Sequence, residues 1–227
     1  MKKIIYNKYI LCVCTSIIVL IIIYGAYYYM CFSPSVEIYD SKIAGPTILI
    51  VSGTHGNERA PVIAINKFFK EHRPKTGKVI VIDDVNYCGL VMNDRFIPSF
   101  LTDANINRQY TKHRANKINK LVMYYASHAD YVFDFHEASD FQYLNFNKLG
   151  NSISTDMNIH DSKNIVNILN QKYTDVQWTV YLKSSEKLIP GTLFDYCVKK
   201  RINYILIESS TENNMNKRIN QATTVLD

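Results

Sequence analysis

His55 and Glu58 stand three residues apart in Ser52-Gly-Thr-His-Gly-Asn-Glu-Arg59, directly after a short run rich in β-branched residues. His136 follows a second such run, Tyr131-Val-Phe-Asp-Phe135, and Glu208 follows a third, Tyr204-Ile-Leu-Ile207. An imidazole and a carboxylate from one tight turn can reach a single cation, because Zn(II) accepts both nitrogen and oxygen ligands. His55, Glu58 and His136 make a two-His, one-Glu set of the kind that leaves a fourth position for water. That water then ionises at about pH 7, and a nearby carboxylate such as Glu208 can take its proton. H-x-x-E alone occurs freely by chance, and a hydrogen-bonded surface loop would carry the same letters. Three apolar strands that each end on a ligand or a base are harder to read as solvent decoration.

Further groups could serve the same site. Asp134 lies two residues before His136, on the same strand face, where it could orient the imidazole or simply bond loop amides. Arg95, Asn107 and Arg108 fall in a long irregular segment, residues 86–110, that also holds Asp103. A guanidinium can grip a substrate carboxylate through two parallel hydrogen bonds, and another can stabilise the oxyanion formed on an amide carbonyl. Glu137 points to the opposite strand face from His136, a second-layer or surface position. His72, His113, His128 and His160 follow no ligand spacing. No G-x-S-x-G occurs, and neither Cys88 nor Cys197 has a nucleophile's setting, so a serine or cysteine hydrolase has little support.

These residues need a scaffold that brings strand ends together. Apolar runs at 47–52, 78–83, 131–135 and 204–207 read as buried strands, with a further strand at 178–182. Between them lie helical patterns at 60–71, where Val62, Ile65 and Phe69 share a face, and at 112–127, where Ile118, Leu121, Val122 and Tyr125 do. Others fall near 161–172, capped by Asp161, and from Pro190-Gly191-Thr192 to Lys200, with a polar helix at the C-terminus. Alternating strands and helices imply an α/β three-layer sandwich with a mixed, largely parallel central sheet. Such sheets bind ligands at the carboxyl ends of their strands.

Residues 9–36 contain no Asp, Glu, Lys or Arg, and residues 9–32 are long enough to cross a hydrocarbon core of roughly 30 Å. Lys2, Lys3 and Lys8 precede the run, while Glu37 and Asp40 follow it, so the N-terminus is expected in the cytosol and the body of the chain across the membrane. A cleaved signal peptide is the rival reading, but the run is longer than usual and Tyr27-Tyr28-Tyr29 suits an interfacial aromatic belt better than a cleavage site. The expected layout is a tail at 1–8, a signal anchor at 9–32, a linker with a small strand at 33–46 and one hydrolase domain at 47–227. Three of the six net positive charges are the N-terminal lysines, and the remaining +3 is too weak to argue for nucleic acid. Of five cysteines, Cys88 and Cys197 belong to the domain and could pair in an oxidising lumen. No C-x-x-C motif exists, so any metal must be held by His and carboxylate.

Taken together, His55-Gly-Asn-Glu-Arg-Ala-Pro61, Asn107-Arg108-Gln-Tyr110, Asp134-Phe-His136-Glu-Ala138 and Glu208 resemble the succinylglutamate desuccinylase/aspartoacylase family, within the zinc carboxypeptidase superfamily. The resemblance spans roughly residues 47–210. It implies one zinc held by His55, Glu58 and His136, with Glu208 as general base and acid. It also implies Arg95 at the oxyanion and Asn107 with Arg108 on the substrate carboxylate. The family's deacylases carry a β-rich domain after the catalytic glutamate, where nineteen residues follow it here. The stretch from Gly191-Thr-Leu-Phe-Asp-Tyr196 to Glu208 looks more like true carboxypeptidases, whose mobile tyrosine would correspond to Tyr181. The function implied is hydrolysis of an amide next to a free carboxylate, in an N-acyl amino acid or at a peptide C-terminus, including a cell-wall-type peptide. A non-catalytic, membrane-tethered binding protein of the same fold is the alternative from another class.

Overall fold

The computed structural model describes residues 2–97, 105–111, 113, 115–157, 159–182 and 188–227. Pro98, Asp103 and Lys112 lie outside the described residues. Four strands form the parallel centre of a seven-stranded sheet: β2 (Thr47–Val51), β3 (Lys78–Ile82), β4 (Tyr131–Ala138) and β7 (Asn203–Ser210). β1 (Glu37–Asp40) flanks them antiparallel to β3, and β5 (Ser152–Thr155) runs antiparallel to β7 with β6 (Thr179–Leu182) beside it, giving the order β1-β3-β2-β4-β7-β5-β6. The sheet is mixed with a parallel core, as the alternation of elements predicts.

Each central strand is apolar on both faces because helices cover both. Leu49, Val51, Val132, Tyr204 and Leu206 face one layer, with Ile118 and Val122 of α4 (Lys117–Ala126) and Leu193, Phe194 and Cys197 of α6 (Leu193–Lys200). Ile50, Phe135, Ile205 and Ile207 face the other layer, formed by α2 (Arg59–Glu71), α5 (Ile159–Lys172) and α7 (Met215–Leu226). Full burial of each such side chain is worth about 1.5–3 kcal/mol, which makes the strand register expensive to slip. Asp134, His136 and Glu208 alternate onto the first face, at the carboxyl end of the parallel strands.

Several elements differ from the sequence expectation, each for a local reason. The helix expected over 112–127 begins at Lys117, because the Asn116 side chain accepts from Asn119 N at 3.0 Å and caps it there. Asp161 does not cap α5; it sits inside the first turn, where its charge suits the helix dipole. β5 is polar apart from Ile153, so no period-2 apolar signal marks it, yet all four residues are buried beside β7. A short helix, α3 (Tyr87–Met92), forms inside the irregular segment, with Asn86 Oδ1 accepting from Gly89 N at 2.9 Å.

The N-terminal helix α1 (Lys2–Cys31) contains one stretch, Cys12–Cys31, long and apolar enough to cross a membrane. Its end is part of the globular fold: Cys31 and Phe32 are buried in the layer that holds α4 and α6. Cys31 is disulfide-bonded to Cys88 on α3. The pairing of Cys88 with Cys197, which the sequence left open, does not form: Cys197 is a free thiol buried in the same core cluster. That partner could not be identified by treating Cys31 as part of a membrane segment.

Candidate metal centre and cavity

The β2–α2 connection carries His55 and Glu58 into the first face, where both are buried. Its tightness depends on Gly56, whose Cβ would lie 1.9 Å from the Gly89 carbonyl carbon of α3. Any side chain there would push the turn off α3. Glu58 occupies the cap position of α2 but makes no cap hydrogen bond. Its carboxylate serves other groups.

His55 Nδ1 lies 2.7 Å from Glu58 Oε1, and His136 Nδ1 lies 2.7 Å from Glu58 Oε2. Glu137 N donates to Oε2 at 3.2 Å, and Arg95 Nη1 donates to Oε1 at 2.8 Å. Burial alone would raise the Glu58 carboxyl, but the charge of His136 and hydrogen bonds from both imidazoles outweigh it and hold the group well below the usual carboxylate range. His136 is also buried, which disfavours its cation, yet Asp134 and Glu58 hold it well above the ordinary imidazole value. Desolvation wins at His55, whose pKa is lowered despite Glu58.

One ligand atom from each of His55, Glu58 and His136 comes within 4.8 Å of the other two. Among the described residues His55 Nε2 has no hydrogen-bond partner although it is buried, and its Nδ1 side meets Glu58. Two imidazole Nδ1 atoms converging on one sealed carboxylate match the donor set of a catalytic metal site. Behind His136, Asp134 Oδ1 stands 3.2 Å from Nε2, and Asp134 Oδ2 accepts from Tyr204 Oη at 2.5 Å. The aspartate thus stands beside the imidazole, the first of the two placements the sequence left open.

A cavity of about 490 Å³ opens on this cluster and is also lined by Glu208, Arg95, Asn107 and Arg108. Glu208 is opposite His136 in the β4–β7 ladder. Arg108 is partly buried, and desolvation together with the charge of Arg95 lowers its pKa, so this part of the cavity favours an anion. The Asn107–Arg108 turn is held by α6: Asn107 Oδ1 accepts from Leu193 N at 3.1 Å, and Tyr110 N donates to Gly191 O at 2.9 Å. Gly191 has φ +79°, and a Cβ there would meet Arg108 O at 2.5 Å.

Tyr181 is not brought to the cavity. It sits on edge strand β6, opposite Ser154 of β5, and is not among the residues lining the site. Glu137 is buried rather than on the surface, because it pairs with Arg218 of α7 and accepts from Ala60 N at 3.2 Å. His72, His113, His128 and His160 are all exposed. Sequence reasoning missed Tyr204 as the partner of Asp134; its i, i+4 spacing from Glu208 on one strand face was the available signal.

Residues 44–154 match the model of the succinylglutamate desuccinylase/aspartoacylase catalytic domain, so the resemblance read from the motifs is shown over that stretch. No curated protein matches the sequence. The product-bound cell shape determinant protein Csd4 from Helicobacter pylori is similar in fold, with a TM-score of 0.71 at 15% identity over 86% of this chain and 53% of that one. The mDAP-bound form of Csd4, described as a D,L-carboxypeptidase, gives 0.66 at 16% identity over 80% and 49%. A protein from Shewanella denitrificans OS217, described as a candidate metallopeptidase, gives 0.65 at 17% identity over 86% and 77%. At these identities the likeness establishes a carboxypeptidase-like fold. The chain spans about half the length of the Csd4 structures.

Proposed function

We propose that this chain, with its succinylglutamate desuccinylase/aspartoacylase-like catalytic region, is a membrane-anchored zinc amidohydrolase that cleaves an amide bond next to a free carboxylate. The observation that carries this reading is the buried His55–Glu58–His136 cluster with Glu208 beside it on one cavity. His55, Glu58 and His136 would hold the ion, which when bound supplies Lewis acidity and a water acidic enough to react at about pH 7. Glu208 takes a proton from the attacking water at its carboxylate and returns it to the leaving nitrogen. Arg108 and Asn107 hold the substrate's carboxylate, and Arg95 offers a guanidinium to the developing oxyanion. Asp134 and Tyr204 keep the His136 ring aligned.

Two substrate classes fit: an N-acyl amino acid, as the family match suggests, and the C-terminal residue of a peptide. A likeness to Csd4, whose structures include a tripeptide-bound form, supports the peptide reading. The placement outside the cytosol is supported by the Cys31–Cys88 disulfide, since such bonds persist in oxidising compartments. Its two cysteines also make the end of α1 a working part of the domain, which favours a retained anchor over a removed signal.

Metal content of the full chain in detergent, before and after His55→Ala, is the direct test. We expect about one zinc per chain, lost in the variant. No bound metal after zinc is supplied would leave the binding-protein alternative standing. Hydrolysis assays with N-acyl amino acids, and with peptides bearing free or amidated C-termini, then separate the substrate classes.

A further inference from the structure

α3 carries two apolar side chains that belong to no core. Val91 is 67% exposed and Met92 57%. They follow Cys88 by three and four residues and so lie on its side of the helix. Cys88 is bonded to the last residue of α1, with the two Cα atoms 5.1 Å apart. Three or four helical residues add only about 5–6 Å, which places both Cα atoms within roughly 11 Å of the last Cα of the apolar helix. The headgroup layer on each side of a hydrocarbon core is about 5–8 Å thick, the same scale as that distance.

The surroundings of Cys31 have the character of a membrane–water boundary. Tyr27, Tyr28 and Tyr29 precede it, and Tyr28 stacks on Phe32 with ring centres 4.6 Å apart. Lys117 Nζ lies 5.5 Å from the Tyr29 ring centre and donates to Ser33 Oγ at 2.9 Å, so a cation stands beside this aromatic cluster, as suits a surface that meets anionic headgroups.

Resting on the reading of α1 as a retained membrane helix, we propose that α3 is an interfacial foot: Val91 and Met92 enter the headgroup–acyl boundary of the bilayer that α1 spans. The occupant is lipid because the Cys31–Cys88 bond ties α3 to the end of a helix whose exposed Ile21, Ile22 and Ile23 would themselves face it. Arg95 follows Met92 by three residues and donates to Glu58, so the foot also holds the cavity close to the membrane plane. The enzyme then serves substrates presented at the membrane surface.

The test uses the full chain in vesicles of phosphatidylcholine brominated along its acyl chains, with tryptophan fluorescence as the readout. Trp178, which is buried, supplies a constant background. We expect Met92→Trp to be quenched at least about twofold more than Phe146→Trp, a substitution at an exposed site between β4 and β5. Ile22→Trp reports on α1 itself. If Ile22→Trp is quenched while Met92→Trp matches Phe146→Trp, the foot is overturned and the anchor stands. If Ile22→Trp is not quenched, the anchor reading fails and the foot fails with it.

Discussion

His136 on β4 and Glu208 on β7 face each other in a parallel ladder, in the same register that sets Asp134 opposite Leu206. The proposed metal ligand and the carboxylate beside it are thus spaced by backbone hydrogen bonds rather than by flexible side-chain contacts. Slipping the register by one residue would turn Glu208 to the opposite face of the sheet. The relation explains how a carboxylate outside the His-Glu-His cluster can open on the same cavity.

That separation makes Glu208→Gln the sharpest probe of the chemistry. The amide keeps the shape of the side chain but cannot accept the proton, so turnover should fall by about 10²–10⁴. Metal content should stay at the level of the unmutated chain. Turnover within a few-fold of normal would sink the role given to Glu208.

Asp134→Asn should act through the metal rather than the substrate. It weakens the charged partner of His136 Nε2 and alters the acceptor of Tyr204 Oη. Metal affinity should drop by about 10–100-fold, measured by competition with a chelator. Activity restored by excess metal would accompany a positioning role, and an unchanged affinity would exclude it.

Replacing Cys31 and Cys88 with serine opens a loop of sequence separation 57. The chain-entropy account puts the loss at about 4 kcal/mol, with 2–4 kcal/mol typical of such bonds in practice. Thermal or denaturant unfolding in detergent should show it as a large fall in stability. A soluble fragment that begins at residue 33 would carry the same defect, together with the loss of buried Phe32.

Asp83 offers a pH dependence away from the His-Glu-His cluster. Burial, with the neighbouring Asp84 charge, pushes its pKa up to about 6, partly offset by hydrogen bonds that include one from Asn66. A carboxyl raised on folding binds its proton more tightly when folded. Its contribution is therefore most favourable below the unfolded value, falls as pH rises through about 6, and is then constant. Asp83→Asn should raise stability by on the order of 1–2 kcal/mol at pH 7.5 and change it little at pH 4. Equal effects at the two pH values, read from unfolding midpoints, would remove ionisation as the cause.

By itself the sequence determined the alternation of β-branched runs and amphipathic helices, and with it the three-layer α/β class. It also placed His55, Glu58, His136 and Glu208 at strand ends, because these properties are local in the chain. What it could not determine was anything set by contacts between distant residues. The polar strand β5 is held by the ladders that β7 and β6 offer on its two sides. Tyr204 reaches Asp134 across 70 residues, and Glu137 is drawn inward by Arg218. Cys88 finds Cys31 because the end of α1 packs into the core beside α3. Local spacing has no term for such encounters. Only the assembled sheet and the helices packed on it, which bring strand ends and helix ends to one face, decide them.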